Sequence, residues 1–188
     1  YESCSTATFR HGRTETLRVV NKASQAFVDA FSKTTPSEPN AKVVASAMRA
    51  ASAAHSISGQ IASSGQGCDR HLFGMFCAAK ELGLSGDDVP EIFRDPSFAK
   101  YGNITLSASN PGAARGVSFV GFGPVTRECI GLCYVIGDGE IGICVSSWRG
   151  GKGAAEFVAE LQRTMAAMRA VLAAAPAAPR KKKHGSKL

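Results

Sequence analysis

Leu106-Ser107-Ala108-Ser109-Asn110 leaves the apolar run Ile104 to Leu106 and reads as a short polar exit from a β-strand. Side chains alternate between the faces of an extended backbone, so the hydroxyls of Ser107 and Ser109 project to the same side, where both can face one ligand. Serines just past a strand also serve as plain turn residues that satisfy local backbone groups, and the pentapeptide alone does not separate the two uses. Complementary groups from elsewhere would. The segments placed to supply them are Tyr1 to Arg18, Gly65 to Gly74 and Val117 to Tyr134.

Downstream, a second strand is expected near Val117 to Phe122. A hairpin follows, formed by Gly131 to Ile136 and Glu140 to Ser146 around Gly137-Asp138-Gly139. Phe157, Val158, Leu161, Met165, Met168 and Leu172 then fall on one face of a helix of about five turns. Upstream, residues 1 to 20 alternate too irregularly for a helix and predict a strand followed by a structured loop. Phe27 and Phe31 mark a short amphipathic helix over Ala23 to Phe31. After a loop from Thr34 to Asn40, with Asn40 as N-cap, Val44, Ala47, Met48, Ala51, Ala54 and Ile61 define a long helix ended by Gly65-Gln66-Gly67. Asp69 is placed to cap the next helix, which runs to about Leu82 with Leu72, Phe73, Phe76 and Ala79 inward. Gly83 to Pro96 reads as a turn-rich connection. Strand, helices, several strands and a helix in that order make an α/β or α+β layered domain, without internal repeats.

With 188 residues, 44% of them hydrophobic, the chain supports one well-buried core and a tail. The domain is expected over residues 1–175 and a basic tail over 176–188. Of the formal charge of +7, five positive charges (Arg180, Lys181, Lys182, Lys183 and Lys187) fall in that tail, leaving 17 basic against 15 acidic residues in the body. Such a body has no basic stripe to neutralise many phosphates, which argues against nucleic-acid binding. The six cysteines form no C-x-x-C pair and match no histidine spacing, so they read as small buried hydrophobes rather than zinc ligands. No apolar run is long enough to span a bilayer. The opening Tyr1-Glu2-Ser3-Cys4-Ser5, without an initiating methionine, suggests a fragment of something longer.

None of the histidines His11, His55, His71 and His184 stands in a recognisable arrangement with a following acid, so the chain offers a binding site without an obvious base. Asp69-Arg70 in a first helical turn suits a carboxylate, bidentate on the guanidinium, and equally suits an Asp cap beside a solvated Arg. Phe122-Gly123-Pro124 sets a ring at a strand end, where it is either a core side chain or a face for a ligand cation worth roughly 0.5 to 2 kcal/mol.

These segments, in this order, resemble the C-terminal part of the carnitine/choline acyltransferase family. The resemblance rests on Tyr1-Glu2-Ser3-Cys4-Ser5 with Phe9 and Gly12 to Arg18, then on Asp69-Arg70-His71-Leu72-Phe73-Gly74. It continues through Leu106-Ser107-Ala108-Ser109 and Phe122-Gly123-Pro124-Val125 with Gly131-Leu132-Cys133-Tyr134. It implies an α/β fold of a mixed sheet with packed helices, like the C-terminal half of the chloramphenicol-acetyltransferase-like fold. The implied reaction is acyl transfer between coenzyme A and carnitine, with coenzyme A as co-substrate and no permanently bound cofactor.

By the same resemblance, Tyr1, Thr14 and Arg70 match the residues that hold the carnitine carboxylate. Ser107 lies near carnitine, Ser109 matches the oxyanion donor and Phe122 the ring beside the trimethylammonium group. Choline-specific members carry Val, Asn and Asn where this chain has Thr14, Thr16 and Arg70, which puts it on the carnitine side. For the acyl chain, Val120 beside Gly121 lies between the large Met of short-chain members and the Gly of long-chain ones, and we expect short or medium chains. Asn110 falls at a coenzyme A contact. The family's catalytic histidine and its phosphate-gripping lysines lie in an upstream half, expected as a partner of this segment. Departures from the family are Glu128-Cys129-Ile130-Gly131 for Asp-Gly-Tyr-Gly, Ser107-Ala108-Ser109-Asn110 for Ser-Thr-Ser-Gln, and no Glu-Thr pair around Arg149 to Gly153. Ser186-Lys187-Leu188 reads as an address recognised by the peroxisomal import receptor, predicting a peroxisome or a glycosome. The competing reading is a module that binds carnitine or acyl-coenzyme A without turnover.

Overall fold

The computed structural model of the protein describes residues 1–33, 38–112, 120–148 and 153–175. Its centre is a five-stranded mixed sheet in the order β2-β1-β3-β4-β5. The strands are β1 Glu2–Ser5, β2 Thr14–Leu17, β3 Leu106–Ser109, β4 Ile130–Ile136 and β5 Ile141–Ser146. The outer pairs β1/β2 and β4/β5 are antiparallel hairpins, whereas β3 lies parallel to both β1 and β4. A parallel return needs a long crossover, and the chain supplies helices for it. These are α1 Lys22–Ser32, α2 Glu38–Ser63, α3 Asp69–Glu81, α4 Glu91–Arg94 and α5 Pro96–Gly102; α6 Ala154–Ala174 follows the sheet.

Register and alternation sort the sheet into two faces. Ser3 opposes Thr16 and Ser5 opposes Thr14. Ser107 is level with Gly131, Ser109 with Cys133, and Cys133 with Cys144. All of these point one way. Glu2, Cys4, Glu15, Leu17, Ala108 and Tyr134 point the other way, toward α2, which packs on β1 and β2. Its inward stripe carries Ala41, Val44, Ala45 and Ala62, with Val44 only 1% exposed.

The structure amends the sequence reading at several elements. Residues 1 to 20 form a hairpin, so Thr14–Leu17 is a second strand where a structured loop was expected. Ser107 and Ser109 lie within the strand ladder rather than past it. Asn40 sits inside α2 and cannot be its N-cap; the capping side chain seen nearby is Asn21, which heads α1 in a capping box with Ser24. Asp69 is the first residue of α3, preceded by Cys68, and caps nothing; its carboxylate is used elsewhere. The connection after Gly83 contains a 3-10 turn at Gly86–Asp88 as well as α4 and α5. Phe73 is 58% exposed and Ile61 44% exposed. Seventeen residues at 100° each put Ile61 about 100° away from Val44 around the helix, on a different face. Of the strand expected near Val117 to Phe122, residues 120–122 are not in a strand, and 117–119 lie outside the described residues. Arg149 to Lys152 and the tail with Ser186, Lys187 and Leu188 also lie outside them.

Candidate functional site

The two serines of β3 open into a cavity of about 390 Å³ whose lining includes Tyr1, Ser3, Ser107, Ser109, Phe122 and Val125. Ser107 is 4% exposed, and Ser109 shares a hydrogen bond with Ser3 across the strands, Oγ to Oγ 3.3 Å. Tyr1 is pinned beside them because its carbonyl accepts from the Ala108 N–H at 2.8 Å. Four of the residues singled out from the sequence, Tyr1, Ser107, Ser109 and Phe122, therefore meet at one place.

Phe122 is held there by the neighbouring hairpin. Ser146 Oγ donates to the Phe122 carbonyl at 2.6 Å, and Trp148 Nε1 donates to the Pro124 carbonyl at 3.2 Å. Gly131 leaves room for this arrangement, since a Cβ on it would come within 2.5 Å of Ser146 Oγ and 3.2 Å of the Phe122 ring. Val120 is half-buried, and Gly121 rests on β5 so closely that a Cβ would reach Cys144 Sγ at 2.9 Å.

Thr14 and Arg70 meet on the same sheet face: Arg70 Nη2 donates to Thr14 Oγ1 at 3.4 Å, with both residues exposed. The helix start that carries Arg70 is tied to β2 and its exit. Glu15 Oε1 accepts from the Arg70 N–H at 3.1 Å. Arg18 Nε donates to Asp69 Oδ2 at 2.8 Å, and Tyr101 Oη donates to the same oxygen. Arg18 also lies over the Tyr101 ring at 3.9 Å and faces the Tyr1 ring at 6.0 Å. Burial alone would raise the Asp69 carboxyl, but the hydrogen bonds from Tyr101 and Arg18 outweigh it and hold the group below the usual carboxylate range. Burial, reinforced by Asp69, pushes the Tyr101 phenol up to about 12.

Behind the sheet, Tyr134 Oη donates to the buried Glu2 at 2.6 Å, and His55 Nε2 stands 3.7 Å from the other Glu2 oxygen. Burial and Glu2 push the Tyr134 phenol up to about 12. Asn110, just past β3, is exposed and accepts from the Gly112 N–H at 2.9 Å. His11 and His71 are exposed, and His184 lies outside the described residues. A larger cavity of about 550 Å³ between α3, α4 and α5, lined partly by Leu72, Ile92 and Phe98, brings together no reactive constellation. Its Asp95 caps α5 through the Ser97 N–H at 2.7 Å. Among the described residues no group of three or more His, Cys, Asp or Glu side chains is placed to hold a metal ion, and no helix is long and apolar enough to cross a membrane. Ser3, Glu15, Arg18, Ser146 and Trp148 were not singled out from the sequence as parts of a site.

A family model described as Choline/Carnitine o-acyltransferase matches residues 1–163. The chain belongs to the choline/carnitine O-acyltransferase family. Among its relatives are mitochondrial carnitine O-palmitoyltransferase 2 of Mus musculus, 36% identical over 88% of this chain and 24% of the relative, and the Xenopus tropicalis protein of the same description, 40% identical over 79% and 22%. Peroxisomal carnitine O-octanoyltransferase of Mus musculus is 35% identical over 79% of the chain and 24% of its own length. The chain thus spans about a quarter of the length of these relatives. The α/β architecture with a mixed sheet is the one expected from the acyltransferase resemblance.

Proposed function

We propose that this chain is the carnitine-holding, C-terminal part of a carnitine O-acyltransferase that moves short or medium acyl groups reversibly between coenzyme A and carnitine. The observation that carries the reading is the Arg70 to Thr14 contact at 3.4 Å, on the sheet face that also bears Ser107 and Ser109. A guanidinium beside a hydroxyl takes a carboxylate. Choline has none to offer, and burying an arginine against it would cost free energy. Tyr1 and Thr14 complete the hold on the carboxylate, and the Phe122 ring faces the trimethylammonium group.

In the reaction the carnitine hydroxyl attacks the thioester carbonyl, the C–O bond forms, and the C–S bond breaks to release the coenzyme A thiolate. Ser109 donates to the oxyanion of the tetrahedral intermediate, a contribution whose loss typically costs about 100-fold to 1,000-fold in rate. The base that takes the hydroxyl proton and returns it to the thiolate is a histidine of the upstream part, as are the lysines that grip the coenzyme A phosphates. Asn110, exposed past β3, reaches the coenzyme. Val120 and Gly121 border the acyl chain, where a β-branched valine narrows the space that a glycine would leave.

The test is carnitine acyltransferase activity with acetyl-, octanoyl- and palmitoyl-coenzyme A on the longest native chain containing this segment, wild type against Arg70→Asn. Arg70 is exposed in this chain, and removing one partner of a charge pair that is buried once substrate and the upstream part are in place costs about 2 kcal/mol or more, so the Michaelis constant for carnitine should rise roughly 30-fold or more. Turnover should persist on a substrate without the carboxylate. If the wild type binds carnitine and never turns over, the chain is a binding module instead. A palmitoyl preference would sink the short-to-medium reading.

A further inference from the structure

We infer that Glu15 is a positioning residue for substrate: from β2 it caps α3 across the fold and so fixes Arg70 for the carboxylate. The inference rests on the carnitine reading above.

The first N–H groups of a helix lack partners within it and are normally met by a Ser, Thr, Asp or Asn just before the helix. At α3 that position is Cys68, whose side chain makes no capping bond. The acceptor arrives from 55 residues upstream, where Glu15 Oε1 takes the Arg70 N–H at 3.1 Å while also taking its own neighbour's Thr16 N–H at 2.6 Å. Glu15 is 7% exposed. Gly67 passes directly over it, so closely that a Cβ there would stand 2.4 Å from Glu15 Cγ. The carboxylate therefore has a cradle, and its charge sits at the positive end of α3.

The consequence for Arg70 comes from strand alternation. Thr14 and Glu15 are consecutive on the edge strand and point to opposite faces. Glu15 grips the backbone of residue 70 from one face, and Thr14 meets its guanidinium on the other at 3.4 Å. Glu15 engages the amide rather than the guanidinium, which leaves the positive charge directed at the ligand face. A guanidinium on a long flexible stem holds a planar anion well only if its backbone origin is fixed.

The experiment uses the full-length enzyme and Glu15→Gln, Glu15→Ala, Arg70→Asn and the double variant Glu15→Gln/Arg70→Asn. Losing a cap of ordinary strength corresponds to a rise of about 5-fold in the Michaelis constant for carnitine, with kcat and the Michaelis constant for coenzyme A within about twofold. Glu15→Gln, which keeps a carbonyl acceptor, should be milder than Glu15→Ala. In the Arg70→Asn background Glu15→Gln should add nothing further, because both changes act through one guanidinium. Equal shifts for carnitine and coenzyme A, or additive effects in the double variant, would overturn the positioning role. Amide hydrogen exchange over residues 68–72 separates this from the functional reading. Faster exchange in Glu15→Ala supports the cap even if the wild type shows no acyl transfer, whereas unchanged exchange in that variant overturns the cap in an active enzyme too.

Discussion

A hydroxyl has one proton to give, so the direction of the bond between Ser3 and Ser109 follows from which of the two serves the oxyanion. Their oxygens stand 3.3 Å apart and either can donate. If Ser109 gives its proton to an oxyanion, the shared bond must be donated by Ser3, which then holds the Ser109 rotor with its hydrogen toward the cavity. We therefore predict that Ser3→Ala lowers kcat by only about 2-fold to 10-fold, the size of an ordinary neutral hydrogen bond of about 0.5 to 1.5 kcal/mol. Ser109→Ala should cost about 100-fold or more, and the Michaelis constant for carnitine should stay put in both. A Ser3→Ala loss as large as that of Ser109→Ala would make Ser3 the oxyanion donor. The pair also shows where legibility stops. Ser107 and Ser109 could be read as co-facial because alternation belongs to the strand itself. Ser3 reaches Ser109 over a separation of 106 residues, Glu15 reaches residue 70 over 55, and Ser146 reaches Phe122 over 24. No local pattern encodes such partners.

At the scale of elements, two phenols tie helix to helix and strand to strand. Tyr101 in α5 donates to Asp69 at the start of α3, and Tyr134 in β4 donates to Glu2 in β1. Each is pushed up to about 12, first by burial and then by its carboxylate partner. An unfolded tyrosine releases its proton near pH 10, about two units earlier. Above that point the folded state binds more protons than the unfolded one, so stability falls as pH rises. The contribution is whole below about pH 10 and is lost on the way to 12. We expect the denaturant midpoint to drop across that window in wild type, and to drop less in Tyr101→Phe and in Tyr134→Phe. Tyrosinate absorbance should show Tyr101 and Tyr134 titrating late, a shift lost for each in its Phe variant. Variants whose alkaline loss matches wild type would refute the role of these bonds. Elements with a clean period, such as α6 and the β4/β5 hairpin, were legible. β2 was not: Thr14-Glu15-Thr16-Leu17 buries a glutamate and a threonine, the reverse of the hydrophobic pattern. α5 was hidden by its Pro96 and is held by the contacts among Phe76, Phe93 and Phe98.

Over the whole molecule, the core is built mostly from small side chains. Among the described residues, Ala41, Ala45, Ala62 and Ala79 are buried, and the largest side chains under 2% exposed are Val44 and Cys129. Larger apolar residues are left outside in an ordered way. On α2, Val43, Ile57 and Ile61 fall within about 40° of one another at 100° per residue, and they are 62%, 56% and 44% exposed. That stripe lies roughly 100° or more around the helix from the one carrying Val44 and Ala45, so it is a second apolar face rather than the rim of the first. Ala47, Ala50 and Ala54 fall between them on the same side of α2, and a continuous apolar stripe of this kind marks a site of association. In a chain spanning about a quarter of its relatives' length, the upstream part of the same enzyme is the proposed cover. It follows that the 188-residue chain produced alone should self-associate with rising concentration in sedimentation velocity. Ile57→Glu, which places a charge on the stripe without touching the buried face, should return it to a monomer of unchanged helicity. Co-production with the upstream part should have the same effect on the wild type by covering the stripe. A lone wild-type chain that stays monomeric at high concentration would mean that water alone is enough for this face and that it does not await the rest of the enzyme.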